Sequence, residues 1–247
     1  MCKKLNILKS ILVSLIISLF SLGFFSFCQA KEFSAQEIVE KSIEQRSFKL
    51  ISAKNDIIVE GFVVGNSPIK NKFGYFFLKE NNHRLKIETG RTPTNMALSK
   101  GTGWLKLGTM SSIPIDDISR SYLSVISGAV KPEIFKYKTS GDSIFSAGFE
   151  RTSGIDCYKI VLIDSNGIHN YYFFAKDDFR LIKFSVIKEI NLTATLCEVY
   201  YEEYTDFEGI KFPAHIESYT GNKELNLKIE KVNYDSGLSD SDFVRPN

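Results

Sequence analysis

Six short runs in the second half of the chain alternate apolar and polar residues, and turn-forming residues separate each run from the next. The runs are DCYKIVLI, HNYYFFAK, RLIKFSVIKE, TLCEVYYEEY, IKFPAHIES and ELNLKIEKVNY. Alternation with a period of two places successive side chains on opposite faces of a β-sheet. One face collects the apolar residues Tyr158, Ile160, Leu162, Ile182, Phe184, Val186, Phe212, Ala214, Ile216, Leu225, Leu227 and Ile229. The other face collects mainly Lys and Glu, so the sequence predicts a long antiparallel meander that is dry on one side only.

The first half of the chain adds five strand-like runs between residues 54 and 108, with a helix on either side of them. Ser34 and Glu37 have the spacing of a capping box and open the first helix. Apolar residues recur at helical spacing from Asp116 to Gly128, which predicts a second helix with Asp116 as its N-cap. That pattern fits a helix that covers a packed core as well as a lid over a cavity.

The number of strands limits the fold class. About eleven strands are more than an open sheet usually carries without curling, and only two helices are available to cover it. The economical arrangement is a mainly β sheet curled around its own apolar face. No linker rich in Pro or Ser divides the chain, so we expect residues 31–247 to form a single domain.

The first thirty residues have the three-part pattern of a secretory signal peptide. Lys3, Lys4 and Lys9 precede an uncharged apolar stretch from residue 11 to residue 27, and the small Ala30 stands just before Lys31. This pattern predicts export with cleavage near Ala30. The competing interpretation is a retained membrane anchor, because the stretch approaches the length of a short spanning helix.

Charge excludes nucleic acid as a partner. The whole chain has 31 basic and 29 acidic residues, and the three lysines of the signal peptide account for the positive excess. Removal of residues 1–30 leaves 28 basic and 29 acidic residues, interspersed along the strands. Nucleic-acid binding requires a one-sided positive field, which this balance does not supply.

Two cysteines, Cys157 and Cys197, remain after the signal peptide is removed. An exported protein enters a compartment in which disulfides form. However, strands lie about 4.8 Å apart, and the strands between the two cysteines would separate them beyond the roughly 7 Å that a disulfide allows. Their alternation also places them on opposite faces. We therefore predict two free, largely buried thiols.

Catalytic and metal-binding patterns are weak. The three histidines, His83, His169 and His215, stand at turns or on wet strand positions and lack metal-ligand spacing. Four carboxylates are concentrated in one late strand, at Glu198, Glu202, Glu203 and Asp206. They could suggest a calcium or acid–base site, but a solvated face explains them equally well. The sequence therefore predicts no catalytic residue, no metal, no cofactor and no enzymatic activity.

Several segments resemble the bacterial outer-membrane lipoprotein carrier and sorting proteins, the LolA/LolB-like superfamily. They are LSKGTGWLKLG, GIDCYKIVLID, YYFFAKDDFRLIKFSVIKE and YTDFEGIKFPAHIE, and the resemblance covers most of residues 31–247. In that family an Asp-Gly turn followed by Trp and an aromatic residue is common. Here Lys100 and Gly101 form the turn, and Leu105 and Lys106 follow Trp104, so the resemblance is to the superfamily and not to the carrier itself.

The resemblance implies an unclosed β half-barrel, with two or more helices over its concave apolar face, that receives acyl chains. It implies a monomeric periplasmic carrier or chaperone for an acylated lipoprotein or a lipid. Its partners would be an inner-membrane donor and an outer-membrane acceptor. The alternative is an envelope sensor or interaction module of the same fold, which would bind a lipid or a misfolded protein and signal to a partner. Neither alternative involves catalysis.

Candidate ligand-contacting residues follow from the predicted faces. The expected cavity wall comprises Phe76, Trp104, Tyr122, Ile126, Tyr158, Ile160, Phe184, Ile216 and Leu227, and the expected lid residues are Ile118 and Val125. The same aromatic and aliphatic side chains would also fit a solidly packed core. In the carrier family an arginine ties the sheet to the lid. Arg84 is a candidate for that role, although its parity with Lys86 places it on the polar face.

Overall fold

The computed structural model describes residues 33–65, 71–78, 82–88 and 92–246, and the predicted signal peptide lies outside these ranges. Its α-helices are α1 (Ala35–Gln45), α2 (Phe48–Ala53), α3 (Asp117–Val130) and α4 (Tyr137–Ser140). Short 3-10 helices span Glu133–Lys136 and Asp240–Phe243. Among the described residues, no helix is both long enough and apolar enough to span a bilayer.

The described residues form thirteen strands. They are β1 (Asp56–Val64), β2 (Asn71–Leu78), β3 (Asn82–Glu88), β4 (Thr94–Ser99), β5 (Thr102–Leu107), β6 (Ile113–Pro114), β7 (Ser143–Thr152), β8 (Ile155–Ile163), β9 (His169–Ala175), β10 (Leu181–Ile190), β11 (Thr193–Phe207), β12 (Ile210–Thr220) and β13 (Lys223–Tyr234). Every neighbouring pair is antiparallel.

All these strands belong to one sheet in the order β6-β5-β4-β3-β2-β1-β13-β12-β11-β10-β9-β8-β7. The first and last strands pair in the middle, and β6 and β7 form the two edges. This mainly β, unclosed half-barrel is the predicted fold class, but the predicted number of about eleven strands was too low. The two missed strands are the edges: β6 has only two residues and includes a proline, and β7 is mostly exposed and interrupted by a register shift.

The position of the helices follows from this strand order. The chain leaves the sheet at one edge after β6 and enters it again at the opposite edge with β7. The connecting segment, which includes α3, the 3-10 helix Glu133–Lys136 and α4, must therefore cross one face of the sheet. We call the face that it covers the inner face and the opposite face the outer face. Apolar side chains cover the inner face, so the crossing segment buries them.

Local sequence signals start both long helices at the expected residues. The Ser34 hydroxyl accepts a hydrogen bond from the Glu37 N–H at 3.2 Å, and the Glu37 carboxylate accepts one from the Ser34 N–H at 2.9 Å. The Asp116 carboxylate accepts a hydrogen bond from the Ser119 N–H at 2.7 Å. These side chains satisfy amide groups that have no partner within a helix. Both predicted N-caps are confirmed.

Glycine permits the close approach of the first and last strands. The register between β1 and β13 shifts between Glu60 and Gly61. A Cβ atom on Gly61 would lie 2.0 Å from the Lys228 carbonyl oxygen, which no side chain can tolerate. This close approach joins the two halves of the sheet.

The two cysteines are free and buried, as predicted. Cys157 packs on the outer face against Phe173, Ala175 and Ile182, whereas Cys197 lies opposite Val186 on the inner face. The prediction that Ile182 shares the face of Phe184 was wrong. A register shift between Leu181 and Lys183 turns Ile182 to the outer face, and strict alternation cannot anticipate such a bulge.

Candidate functional site

A cavity lies between α3 and the inner face of strands β9 to β12. Its empty volume is about 670 Å³, including the part open to solvent. Its lining residues come from α3, the following turn and four strands. They are Ser121, Ser124, Val125, Ser127, Gly128, Lys131, Pro132, Glu133, Tyr172, Phe184, Val186, Lys188, Cys197, Val199, Tyr201, Ser218 and Thr220.

The floor of the cavity is apolar, and its polar groups are mostly neutral. Phe184, Val186 and Val199 supply aromatic and aliphatic surface from the sheet. Burial raises the pKa of Tyr172 and that of Tyr201 well above the usual tyrosine value, so both phenols stay protonated. The serines of α3 add further hydroxyls. The Ser121 and Ser124 hydroxyls already donate to the Ile118 and Ser121 carbonyls, both at 2.7 Å. The surface therefore accommodates a hydrocarbon chain without exposing many unpaired donors.

The height of α3 above the sheet depends on Gly128. A Cβ atom at this position would lie 2.9 Å from the Tyr201 hydroxyl oxygen. Because real Cβ atoms do not approach a neighbour so closely, a larger residue would push the helix or Tyr201 away. Gly128 thus allows the helix to lie directly over the tyrosine.

A cationic residue stands toward each end of the cavity. Lys131 follows the C-terminus of α3, and its Nζ atom lies 4.6 Å from the centroid of the Phe77 ring. Lys188 stands near the end of β10. A second hollow, between the N-terminal half of α3 and the end of β10, shares Ser121, Ser124 and Lys188 with the cavity. The cavity therefore continues toward the hairpin between β10 and β11.

A buried arginine holds the other end of α3. Arg46 directly follows α1, is 1% exposed, and donates a hydrogen bond from Nη2 to the Ala129 carbonyl. Its guanidinium carbon lies 5.7 Å from the ring centroid of Phe135 and 6.0 Å from that of Tyr204. Within the described residues, its Nε and Nη1 atoms have no hydrogen-bond partner. A cation at a helix C-terminus is favourable, so Arg46 joins α1 to α3.

Arg84 does not connect α3 to the sheet. That residue lies on the outer face, where its Nη1 atom donates to the Asp242 carbonyl at 2.9 Å and its Nε atom to Asn95 at 3.0 Å. The suggested lid role of Arg84 is therefore wrong, whereas its predicted face is right. Arg46 was missed because an arginine at the end of an amphipathic helix usually lies on the surface, and nothing in the sequence marks it as buried.

Most of the predicted wall and lid residues lie on the inner face or on the helix above it, but few reach the cavity. Val125 and Phe184 line it directly. Four others are fully buried in the packing between helix and sheet, namely Ile126, Ile160, Ile216 and Leu227. Tyr158 stacks on Phe179 at 5.9 Å, away from α3. Tyr122 is half-buried on α3, and Ile118 packs against Val186, Ile190 and Cys197.

The structure places Phe76 and Trp104 on the outer face, which corrects their expected position in the cavity wall. Phe76 lies opposite Arg84, whose guanidinium carbon is 5.6 Å from its ring centroid. The Trp104 Nε1–H donates to the Phe243 carbonyl at 2.9 Å. The C-terminal segment covers this part of the outer face, and a buried contact between residues so distant in sequence cannot be inferred from alternation.

Two histidines have environments that bear on the predicted absence of metal sites. His83 is buried, contrary to the expected wet position, and its Nδ1 atom is hydrogen-bonded to the Tyr75 hydroxyl at 2.7 Å. His215 lies on the outer face, with Nδ1 3.1 Å from a Glu202 oxygen and Nε2 2.8 Å from the Asn226 amide oxygen. Glu217 completes a group with metal-ligand spacing. Because both ring nitrogens of His215 already have hydrogen-bond partners, we assign no metal ion to this group.

Comparisons with known proteins identify the fold. No protein-family model matches the sequence, and no curated protein sequence matches it. A DUF1329 family protein from Desulfovibrio piger superimposes with a TM-score of 0.54 and 14% identity, covering 85% of this chain and 97% of that one. A LolA superfamily protein from Nitrosomonas europaea gives a TM-score of 0.54 and 16% identity, covering 86% and 98%.

A third solved structure is a putative outer membrane lipoprotein-sorting protein domain from Vibrio parahaemolyticus, with a TM-score of 0.50 and 14% identity, covering 83% of this chain and 97% of that one. At these identities the likeness concerns the fold. It agrees with the half-barrel and its covering helices, and it confirms the resemblance seen in the sequence. The chain therefore has a LolA-like fold.

Proposed function

We propose that this protein is a periplasmic carrier or chaperone that binds the acyl part of a lipoprotein, or of another amphiphile, in the cavity under α3. The observation that supports this most directly is the cavity itself, with an apolar floor from β10 and β11 and neutral hydroxyls along α3. The LolA-like fold agrees with such a role. We propose that this role involves no catalysis.

Removal of an acyl chain from water into such a cavity is strongly favourable. Each methylene that leaves water contributes roughly 0.8 kcal/mol, so one chain of about fifteen carbons gains on the order of 10 kcal/mol before any cost is subtracted. A dry surface under a helix supplies this gain without a reactive group. We further propose that the protein works as a monomer between an inner-membrane donor and an outer-membrane acceptor, and that α3 moves to admit and release the chain.

A cavity-filling variant tests the proposal. Ser124 is exposed on α3 and lines the cavity, so Ser124→Trp should occupy the space without burying a charge. Ser165→Trp, in the exposed turn before β9, makes the same change away from the cavity. Binding of a fluorescent tripalmitoylated peptide to the purified protein is the measurement. We expect Ser124→Trp to weaken binding at least about tenfold and Ser165→Trp to leave it unchanged.

Equal binding by both variants, or no binding by the unmodified protein, would refute this function. If the peptide binds but never transfers to acceptor vesicles, a sensor of amphiphiles would replace the carrier.

A further inference from the structure

The hollow beside the cavity is lined by charged residues of both signs. It lies between the N-terminal half of α3 and the end of β10, and its empty volume is about 610 Å³, including the part open to solvent. Its charged lining residues are Asp117 and Arg120 from α3, and Lys188 and Glu189 from β10. Among the described residues, none of these four side chains takes part in an ion pair. The hollow therefore offers positive and negative groups to a ligand.

Lys188 interrupts the apolar series of β10. Alternation places it on the inner face with Val186 and Ile190, which belong to one buried apolar cluster. By contrast, Lys183 lies on the outer face of the same strand and has an ion-pair partner, Glu198, at 2.6 Å. Lysine is among the residues least expected on a face that a helix covers. An unpaired lysine at this position therefore needs an explanation.

The positive charge of Lys188 also acts on the main cavity. Lys188 lines the cavity as well as the hollow, together with Ser121 and Ser124. Burial raises the pKa of the Cys197 thiol, and the positive charge of Lys188 lowers it by a smaller amount. Since Cys197 lines the cavity, the charge is close enough to act on a ligand there. A molecule with its hydrocarbon part under α3 would have its polar end beside Lys188.

The negative groups determine what kind of polar end fits. Asp117 lies in the first turn of α3 and is not its N-cap, because the Asp116 carboxylate has that role. Glu189 also lines the hollow, although alternation along β10 directs its side chain toward the outer face. A simple anion would be repelled by Asp117, and a simple cation by Arg120 and Lys188. A group that carries both charges fits both sets of residues.

We propose that the hollow binds the zwitterionic head group of a phospholipid, a phosphate linked to a primary ammonium, while an acyl chain of the same molecule lies in the cavity under α3. Lys188 and Arg120 bind the phosphate, and Asp117 accepts hydrogen bonds from the ammonium. The inference rests on the proposed function and deepens it, because it names the class of amphiphile that the cavity takes.

Binding of single-chain lipids to the full chain, without its signal peptide, tests this. Three palmitoyl probes share the acyl chain: lysophosphatidylethanolamine has both charges, lysophosphatidylglycerol has only the phosphate, and monopalmitoylglycerol has neither. We expect lysophosphatidylethanolamine to bind about tenfold more tightly than the other two, because only its head group meets both sets of charges. Free phosphoethanolamine at the same concentration should not compete, since the acyl chain supplies most of the affinity.

Two variants separate the roles of the charges. Lys188→Gln should weaken the binding of both phospholipids about tenfold, because both contain the phosphate. Asp117→Asn should weaken only the binding of lysophosphatidylethanolamine, by a similar factor, because only this lipid has the ammonium. Neither variant should alter the affinity for monopalmitoylglycerol, which reports on the cavity alone. Lys49→Gln removes a lysine that is exposed on α2, and it should leave all three affinities unchanged.

Equal affinity for the three palmitoyl lipids, tighter binding of lysophosphatidylglycerol, or unchanged binding by both variants would overturn the proposal. So would competition by free phosphoethanolamine, which would assign the hollow to a soluble compound. The two proposals fail separately. Uptake of the tripalmitoylated peptide without any head-group preference would refute only the head-group site. A head-group preference that depends on Lys188 and Asp117, without peptide uptake, would refute only the carriage of lipoproteins.

Discussion

Arg46 and Ala129 are 83 residues apart in sequence, yet the buried guanidinium of Arg46 donates a hydrogen bond to the Ala129 carbonyl. The bond connects the end of α1 to the last turn of α3, which lies over the cavity. Because the remaining contacts of the guanidinium are aromatic faces, the tie consists of one charged hydrogen bond and a fixed position between rings. Movement of α3 must break this bond.

Substitution of Arg46 should loosen α3. Arg46→Lys keeps the charge but loses the planar guanidinium, and Arg46→Met removes the charge. We expect amide hydrogen exchange in residues 117–131 to become faster in both variants, because both lose the bond to Ala129. Arg46→Lys should also lower the stability by about 1.5–3 kcal/mol, since it leaves a cation poorly paired in the interior. Exchange that stays at the original rate in both variants would show that the bond does not hold the helix.

A double-mutant cycle tests the contact of Gly128 with Tyr201. Gly128→Ala improves helix propensity by about 1 kcal/mol, but its new Cβ would lie 2.9 Å from the Tyr201 hydroxyl oxygen. In the Tyr201→Phe background this obstacle is gone, so the alanine should stabilise the protein. In the background with Tyr201 intact, Gly128→Ala should not stabilise the protein. Thermal unfolding of the four proteins gives the coupling energy, expected at about 1–3 kcal/mol, and additive effects would contradict the proposed contact.

Stability should fall in mild acid because of His83. Burial, with the positive charges of Lys136 and Lys131, lowers the pKa of His83 from 6.5 to about 4. The unfolded chain therefore binds the proton more readily between these two values. The stabilisation is fully present above pH 6.5 and is lost as the pH falls toward 4, by roughly 3 kcal/mol at most.

Chemical unfolding at several pH values checks this prediction. His83→Gln should flatten the pH dependence over the same window, whereas His169→Gln, at an exposed position, should not. If His83→Gln retains the full acid sensitivity, another group is responsible.

The two cysteines provide an internal control for cavity binding. Both should react with a thiol reagent in denaturant without reductant, since neither is in a disulfide. In the folded protein both should react slowly, because burial raises the pKa of Cys157 to about 11 and also raises that of Cys197. Only Cys197 lines the cavity.

Addition of the tripalmitoylated peptide at ten times its Kd should slow the labelling of Cys197 about tenfold and leave that of Cys157 unchanged. Single-cysteine variants, Cys157→Ser and Cys197→Ser, allow each rate to be followed by mass spectrometry. Equal protection of the two thiols would indicate a general stabilisation and would argue against a ligand in the cavity.

Local patterns in the sequence were sufficient to predict much of the architecture. The alternation around Tyr158 and Ile160 identified the apolar face of β8, and the capping residues Ser34 and Asp116 marked the starts of α1 and α3. The same alternation placed the two cysteines on opposite faces. These features depend on neighbours a few residues away, so they are present in the sequence itself. Edge strands carry the weakest pattern because one side is unpaired and both faces are wet, and β6 and β7 were missed for that reason.

The sequence by itself determined that the chain forms a curled, mainly β sheet with helices over its apolar face. Only the tertiary structure decided which side chains border an empty space. The bulge at Ile182, the C-terminal segment over Trp104 and the burial of Arg46 each depend on contacts between distant parts of the chain. An apolar residue in a packed core and one in a cavity wall have the same periodicity, because both face away from water. Whether α3 lies close to the sheet or above a gap depends on the packing of particular side chains such as Gly128 against Tyr201.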